Sequence, residues 1–230
     1  LLICISMAQT GAAAQAADSK ENSFSSTLSG GINLRSIAGA PFSADVVKES
    51  IKMLPDGSDV PVVTRGKMFR DAEGRIRSEM ELLSASATAR RYVTIVDPVA
   101  QVSMVLDPQS KTATITPLPQ PQAARRVTRQ DADRISAKSL AIPGTQDLGA
   151  SMLQGFSVTG SRTTRPAQKA GNTVAETWFS PELKIELQAK IEAPDGSTTT
   201  RLENIVTAEP DRALFEPPAD YTVKTISPSK

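Results

Sequence analysis

The stretch MFRDAEGRIRSEMEL, residues 68–82, sets Asp71, Glu73, Glu79 and Glu81 among Arg70, Arg75 and Arg77. Paired carboxylates are the one acid–base apparatus this chain could assemble, one kept protonated while the other stays ionised, as in glycosidases. The candidate pairs are Asp71 with Glu73, Glu79 with Glu81, Glu176 with Glu182, and Asp195 with Glu203. Most fall in turns or on the outward side of an alternating strand, where solvation is the default. A carboxylate-based hydrolase therefore ranks third among the readings. The chain contains no histidine, which removes Ser-His-Asp and Cys-His nucleophiles, histidine metal sites and the usual proton shuttle. No phosphate-cradling glycine loop, nucleophile elbow or calcium loop occurs. No catalytic residue, metal or cofactor is assigned, and the protein is expected to be non-enzymatic.

The charged stretch also reads as a plain hairpin. Pairing Arg70 with Arg75 across DAEG sets Phe69 opposite Ile76 and Val63 opposite Leu82 on one face. Arg77, Glu79 and Glu81 then share the other face, where ion pairs contribute at most about 1 kcal/mol each. Gly74 suits the left-handed position ending the loop, and Asp71 can accept backbone hydrogen bonds at its start. Glu176 and Trp178, in ETWFSPEL, share a strand face with Val174. Either they mark a ligand pocket, or Trp178 fills the core with Glu176 at its rim, paired to an arginine.

Such side chains must be carried by strands. LKIELQAKIEA, residues 183–193, alternates Leu183, Ile185, Leu187, Ala189 and Ile191 with Lys184, Glu186, Gln188, Lys190 and Glu192. A period of two held this long means one buried and one wet face, the antiparallel signature. Similar stretches predict strands near 42–54, 61–70, 75–83, 91–97, 101–107 and 111–117, then 153–165, 173–180, 197–207 and 220–226. Connections of a few residues, such as PDGSDV, DAEG, SASATA and DPQSK, make neighbours pair as an up-and-down meander. Residues 117–147 interrupt it, starting with three prolines in five residues and turning basic and polar. A short helix over 128–138 is the only helical signal there.

The 230 residues carry a formal net charge of +1, which gives no electrostatic case for nucleic acid. LLICISMAQTGAAAQA, residues 1–16, has an apolar run and an Ala-Gln-Ala cleavage pattern, and reads as a signal peptide too short to span a bilayer. The single cysteine, Cys4, would leave with it. An exported chain without disulfides suggests a bacterial periplasmic or secreted protein with no transmembrane segment after cleavage. Residues 17–40 read as a flexible N-terminal arm and 41–226 as one β domain.

The ordered set PFSADVVKESIKMLPDGSDV, MFRDAEGRIRSE, TIVDPVAQVSMVLDPQSKTA, ETWFSPELKI and RLENIVTAEPDRALFEPPADYTV resembles uncharacterised secreted proteins common in acidobacteria. More loosely, the meander with its closing LFEPPADYTV resembles the LolA/LolB/RseB-like superfamily of periplasmic lipoprotein-handling proteins. That resemblance implies an all-β fold with minor α content: a single curved antiparallel meander sheet, a half-barrel of the LolA-like type, with the Pro-rich excursion between its halves. It also implies an apolar ligand, a lipid or lipoprotein acyl chain, on the concave face. Candidate lining residues are Val47, Ile51, Met53, Phe69, Met80, Met104, Phe156, Trp178, Ile185 and Leu187, which an ordinary packed core would also demand. The alternative is a structural or protein-partner-binding envelope module without a cavity.

Overall fold

The computed structural model describes residues 37–54, 56–82, 90–118, 125–126, 142–167 and 170–226. The expected signal peptide, most of the arm, and the helix at 128–138 lie outside them. Strands dominate: β1 (Ile37–Ala38), β2 (Phe42–Met53), β3 (Asp59–Arg70), β4 (Ile76–Leu82), β5 (Arg90–Asp97), β6 (Val102–Asp107) and β7 (Thr112–Pro117). After β8 (Arg125–Arg126) come β9 (Thr145–Leu153), β10 (Phe156–Pro166), β11 (Asn172–Ser180), β12 (Ile185–Ala193) and β13 (Gly196–Val206). A 3-10 turn at Arg212–Phe215 and β14 (Thr222–Thr225) end the described chain.

Twelve strands form one open sheet in the order β14-β7-β6-β5-β4-β3-β2-β13-β12-β11-β10-β9, while β1 and β8 pair separately. Two meanders, β2–β7 and β9–β13, thus lie side by side, joined antiparallel along β2 and β13. The excursion that follows β7 has to return the chain to the far edge at β9. The sheet is mostly antiparallel, as expected; the exception is β14, which adds to β7 in parallel.

The sheet is curved, and Arg70 shows how tightly. It sits near the end of β3, three strands from β12, about 14 Å away in a flat sheet at normal strand spacing. Its Nη2 nevertheless donates to the Leu183 carbonyl in the turn before β12. The sheet must curl over that face to bring them together. A bulge assists: Trp178 pairs with Gln188 and Phe179 with Glu186, leaving Leu187 as the extra residue.

Several boundaries differ from expectation for local reasons. The strand expected at 153–165 is β10, which starts at Phe156, and an unexpected strand, β9, precedes it, joined through Gln154 (φ 51°) and Gly155 (φ 82°). Two successive left-handed residues make the tight turn whose twist matches the flanking strands. β12 begins at Ile185 because Lys184 is left-handed at φ 54° and the Leu183 amide donates to Ser180 Oγ at 3.2 Å. In the β3–β4 hairpin Arg70 pairs with Ile76, and Phe69 with Arg77, so Phe69 lies on the charged side with Glu79. The one-residue shift arises inside the loop. Asp71 Oδ1 accepts the Arg75 amide at 2.8 Å and Oδ2 accepts Arg75 Nε at 2.5 Å, which turns Arg75 inward. Gly74, at φ 86°, closes the loop in the left-handed region.

After β13 the chain runs as a strap back across the first meander. Glu209 accepts the Ala72 amide at 3.0 Å, and Arg77 Nη1 donates to the Leu214 carbonyl at 2.7 Å. The Asp211 side chain caps the 3-10 turn through the Ala213 amide. Phe215 is thereby pressed onto a cluster of Val93, Ile95, Met104, Leu106 and Ala113.

Candidate functional site

The two faces of the sheet differ in chemistry. One, the aliphatic face, is read directly from the register: Val46 of β2 lies opposite Leu202 of β13 and Gly66 of β3, and Gly66 opposite Met80 of β4. With Phe42, Ala44, Met68, Leu183, Ile185, Leu187 and Val158 these make one continuous apolar cluster. Its floor is closed, with Phe42 and Val158 fully buried. Along its margin Met80, Leu153, Phe156, Trp178 and Ile205 pack against it while remaining half-exposed.

Trp178 holds that margin in place. Its ring lies across Gly160, where an added Cβ would come within 2.6 Å of the indole and 2.9 Å of Leu148 Cβ. Only glycine leaves room for the ring at this crossing. The indole Nε1 donates to Glu176 Oε1 at 2.9 Å, and Arg162 Nη2 reaches Glu176 Oε2 at 2.8 Å. Burial pushes the Glu176 carboxyl up, but the Arg162 and Trp178 hydrogen bonds outweigh it and hold the group below its ordinary value. A carboxylate so committed is a structural anchor, not a general acid. Of the two readings of this pair, the geometry favours Trp178 in the apolar cluster and Glu176 at its edge.

The opposite face carries a groove of about 310 Å³ over β13, β2, β3, β4 and β5. Asp45, Glu79, Glu81 and Glu203 line it together with Arg65, Lys67 and Arg91. Most of these charges are already engaged. Glu79 takes Arg77 Nε at 2.7 Å and also Arg91 Nη2, while Lys67 Nζ lies 3.2 Å from Asp45. Arg201 spans Glu203 at 2.6 Å and Glu49 at 2.8 Å, and both carboxylates raise its pKa. Hydrogen bonds from Asn204 and Lys67 keep Asp45 below its ordinary value. The groove offers mixed charge to a polar partner.

The structure brings five sequence candidates to the aliphatic face: Met80, Phe156, Trp178, Ile185 and Leu187. It places Phe69 and Met104 on the opposite face, in or against the Phe215 cluster. Val47 is buried in the groove wall, and Ile51 and Met53 lie toward the far end of β2, 45 % and 50 % exposed. Sequence reasoning missed Phe42, Val46 and Leu202, although their alternation along β2 and β13 was the signal that could have found them. It also missed Arg70, whose side chain is fully buried.

No family model matches the chain, and no curated protein matches it. Solved structures do show similarity. MucB of Pseudomonas aeruginosa, in its complex with MucA, aligns with 92 % of this chain at 13 % identity and a TM-score of 0.44. This chain spans 64 % of that MucB chain. The lipoprotein LppX of Mycobacterium tuberculosis is similar at 12 % identity and TM-score 0.34, over 84 % of this chain and 96 % of LppX. The LolA superfamily protein NE2245 from Nitrosomonas europaea follows at 8 % and 0.32, over 77 % and 90 %. At these identities and TM-scores the likeness is one of chain architecture.

Proposed function

We propose that this protein is a non-catalytic binding protein of the bacterial cell envelope that holds an apolar chain, from a lipid or a lipoprotein, against its aliphatic face. The observation that carries this reading is the half-exposed margin of Met80, Leu153, Phe156, Trp178 and Ile205 bordering a closed apolar floor. A contiguous apolar surface rimmed by polar residues marks a binding site more often than an idle one. The carboxylates that could have served catalysis support it too, since Asp71, Glu79, Glu176 and Glu203 are each bound to arginine. The apolar start and the lone Cys4 within it are consistent with export.

Native mass spectrometry of protein purified from the envelope without detergent tests the reading. The expected spectrum contains the chain plus a mass that organic solvent extracts. The bare chain mass alone, before and after incubation with envelope lipids, would overturn it.

A second reading, a partner-binding module without a lipid, is favoured by the mixed-charge groove on the other face. It expects a protein partner whose affinity falls steeply with salt, because the lining groups are ionic.

A further inference from the structure

Arg70 differs from the carboxylate-paired arginines among the described residues. Arg75, Arg77, Arg91, Arg162 and Arg201 each sit on a carboxylate. Arg70 is fully buried and meets only backbone carbonyls: Nε and Nη2 donate to Ala40 at 2.9 and 2.7 Å, and Nη2 also to Leu183. Its guanidinium carbon stands 4.8 Å from the centre of the Phe42 ring. Among the described residues Nη1 has no hydrogen-bond partner, and no salt bridge reaches the group. The carboxylate next in sequence, Asp71, is taken by Arg75.

A buried charge normally keeps a counter-charge, because desolvation otherwise costs far more than carbonyl contacts return. Burial pushes the Arg70 guanidinium down to about 10, which still leaves it charged at neutral pH. Its place in the sheet is informative as well. Arg70 pairs with Phe42 on one side and Ile76 on the other, on the same face as Met68, so it ends the apolar cluster on that side. A cation there, with an unused donor, is arranged like the polar end of an amphiphile site.

We propose that Arg70 is the counter-charge for the anionic headgroup, carboxylate or phosphate, of an amphiphile whose alkyl chain lies along the aliphatic face. This rests on the apolar-ligand reading and narrows it to anionic ligands. The headgroup takes Nη1 and replaces the Leu183 carbonyl on Nη2, giving the two parallel bonds that a guanidinium fork offers an oxyanion. Admission therefore requires the turn at 181–184 to lift from Arg70. A bare inorganic anion would find the charge but none of the apolar contacts of Phe42, Met68 and Leu183.

The test compares three probes sharing one alkyl chain on the full chain at neutral to mildly basic pH: hexadecanoate, hexadecyl phosphate and methyl hexadecanoate. The wild-type protein is expected to bind at least one anion about tenfold or more tighter than the neutral ester. Which anion gains more identifies the headgroup. Arg70→Met should bring the anion-to-ester affinity ratio to about one, and Arg70→Lys should keep part of the preference. Equal binding of all three probes by the wild type overturns the Arg70 assignment and leaves the apolar site standing. Failure of every probe to bind overturns both. If Arg70→Met does not fold, the wild-type comparison decides alone.

Discussion

Asp71 and Arg75 show how a cluster that looks like acid–base machinery becomes part of the fold. Both side chains are buried, and Arg75 also binds Glu73 and lies 5.6 Å from the Phe215 ring centre. Removing one partner strands a desolvated charge, so Asp71→Ala is expected to lower stability by about 3–5 kcal/mol in urea unfolding. A loss below about 1 kcal/mol would place the pair in the solvent-exposed class instead. Glu176 makes a second residue-scale prediction. Its folded pKa lies below the ordinary 4.5, so it stabilises the fold above that value and the contribution disappears as pH falls through the folded pKa. The urea midpoint should drop on acidification below pH 4.5, and Glu176→Gln should flatten that part of the profile. Arg70 marks where reading single residues failed. Sequence places it at a strand end, opposite Arg75 across the DAEG loop. Its burial comes from the curl of a sheet whose contributing turn is 113 residues away.

Elements were legible where alternation was strong. β12 repeats buried and half-buried positions almost without a break, and its central residues were readable before any coordinates. β9 was not, because as an edge strand it exposes residues of both parities and leaves no period to detect. The strap at 207–221 was equally opaque, since a 3-10 turn of four residues has no periodicity. Its role appears only when Phe215 is seen seated on β5, β6 and β7. Because that ring is almost wholly buried, Phe215→Ala should cost about 3–5 kcal/mol, measured by denaturant unfolding. Hydrogen exchange should accelerate first in β14, which this strap delivers to the sheet edge. Unchanged protection of β14 in the variant would show that its pairing with β7 holds without the strap.

At the scale of the whole molecule, two meanders fused along β2 and β13 give one face to the aliphatic cluster and the other to the ion pairs together with the Phe215 cluster. The sequence carried the strand count nearly complete and the all-β class in full. It could not assign faces, because a side chain's face depends on register and bulges: Phe69 moved to the charged side by a one-residue shift, and the bulge at Leu187 re-aims the face along β12. The central claim is that the aliphatic face receives an apolar chain beside Trp178. Since Trp178 is the sole tryptophan, its emission reports this site alone. Titration with a brominated long-chain ester, whose bromines quench indole on contact, measures occupancy directly. Saturable quenching with one-to-one stoichiometry, relieved by an unbrominated competitor, is the predicted result. Quenching that merely rises in proportion to probe concentration, or none at all, would contradict it.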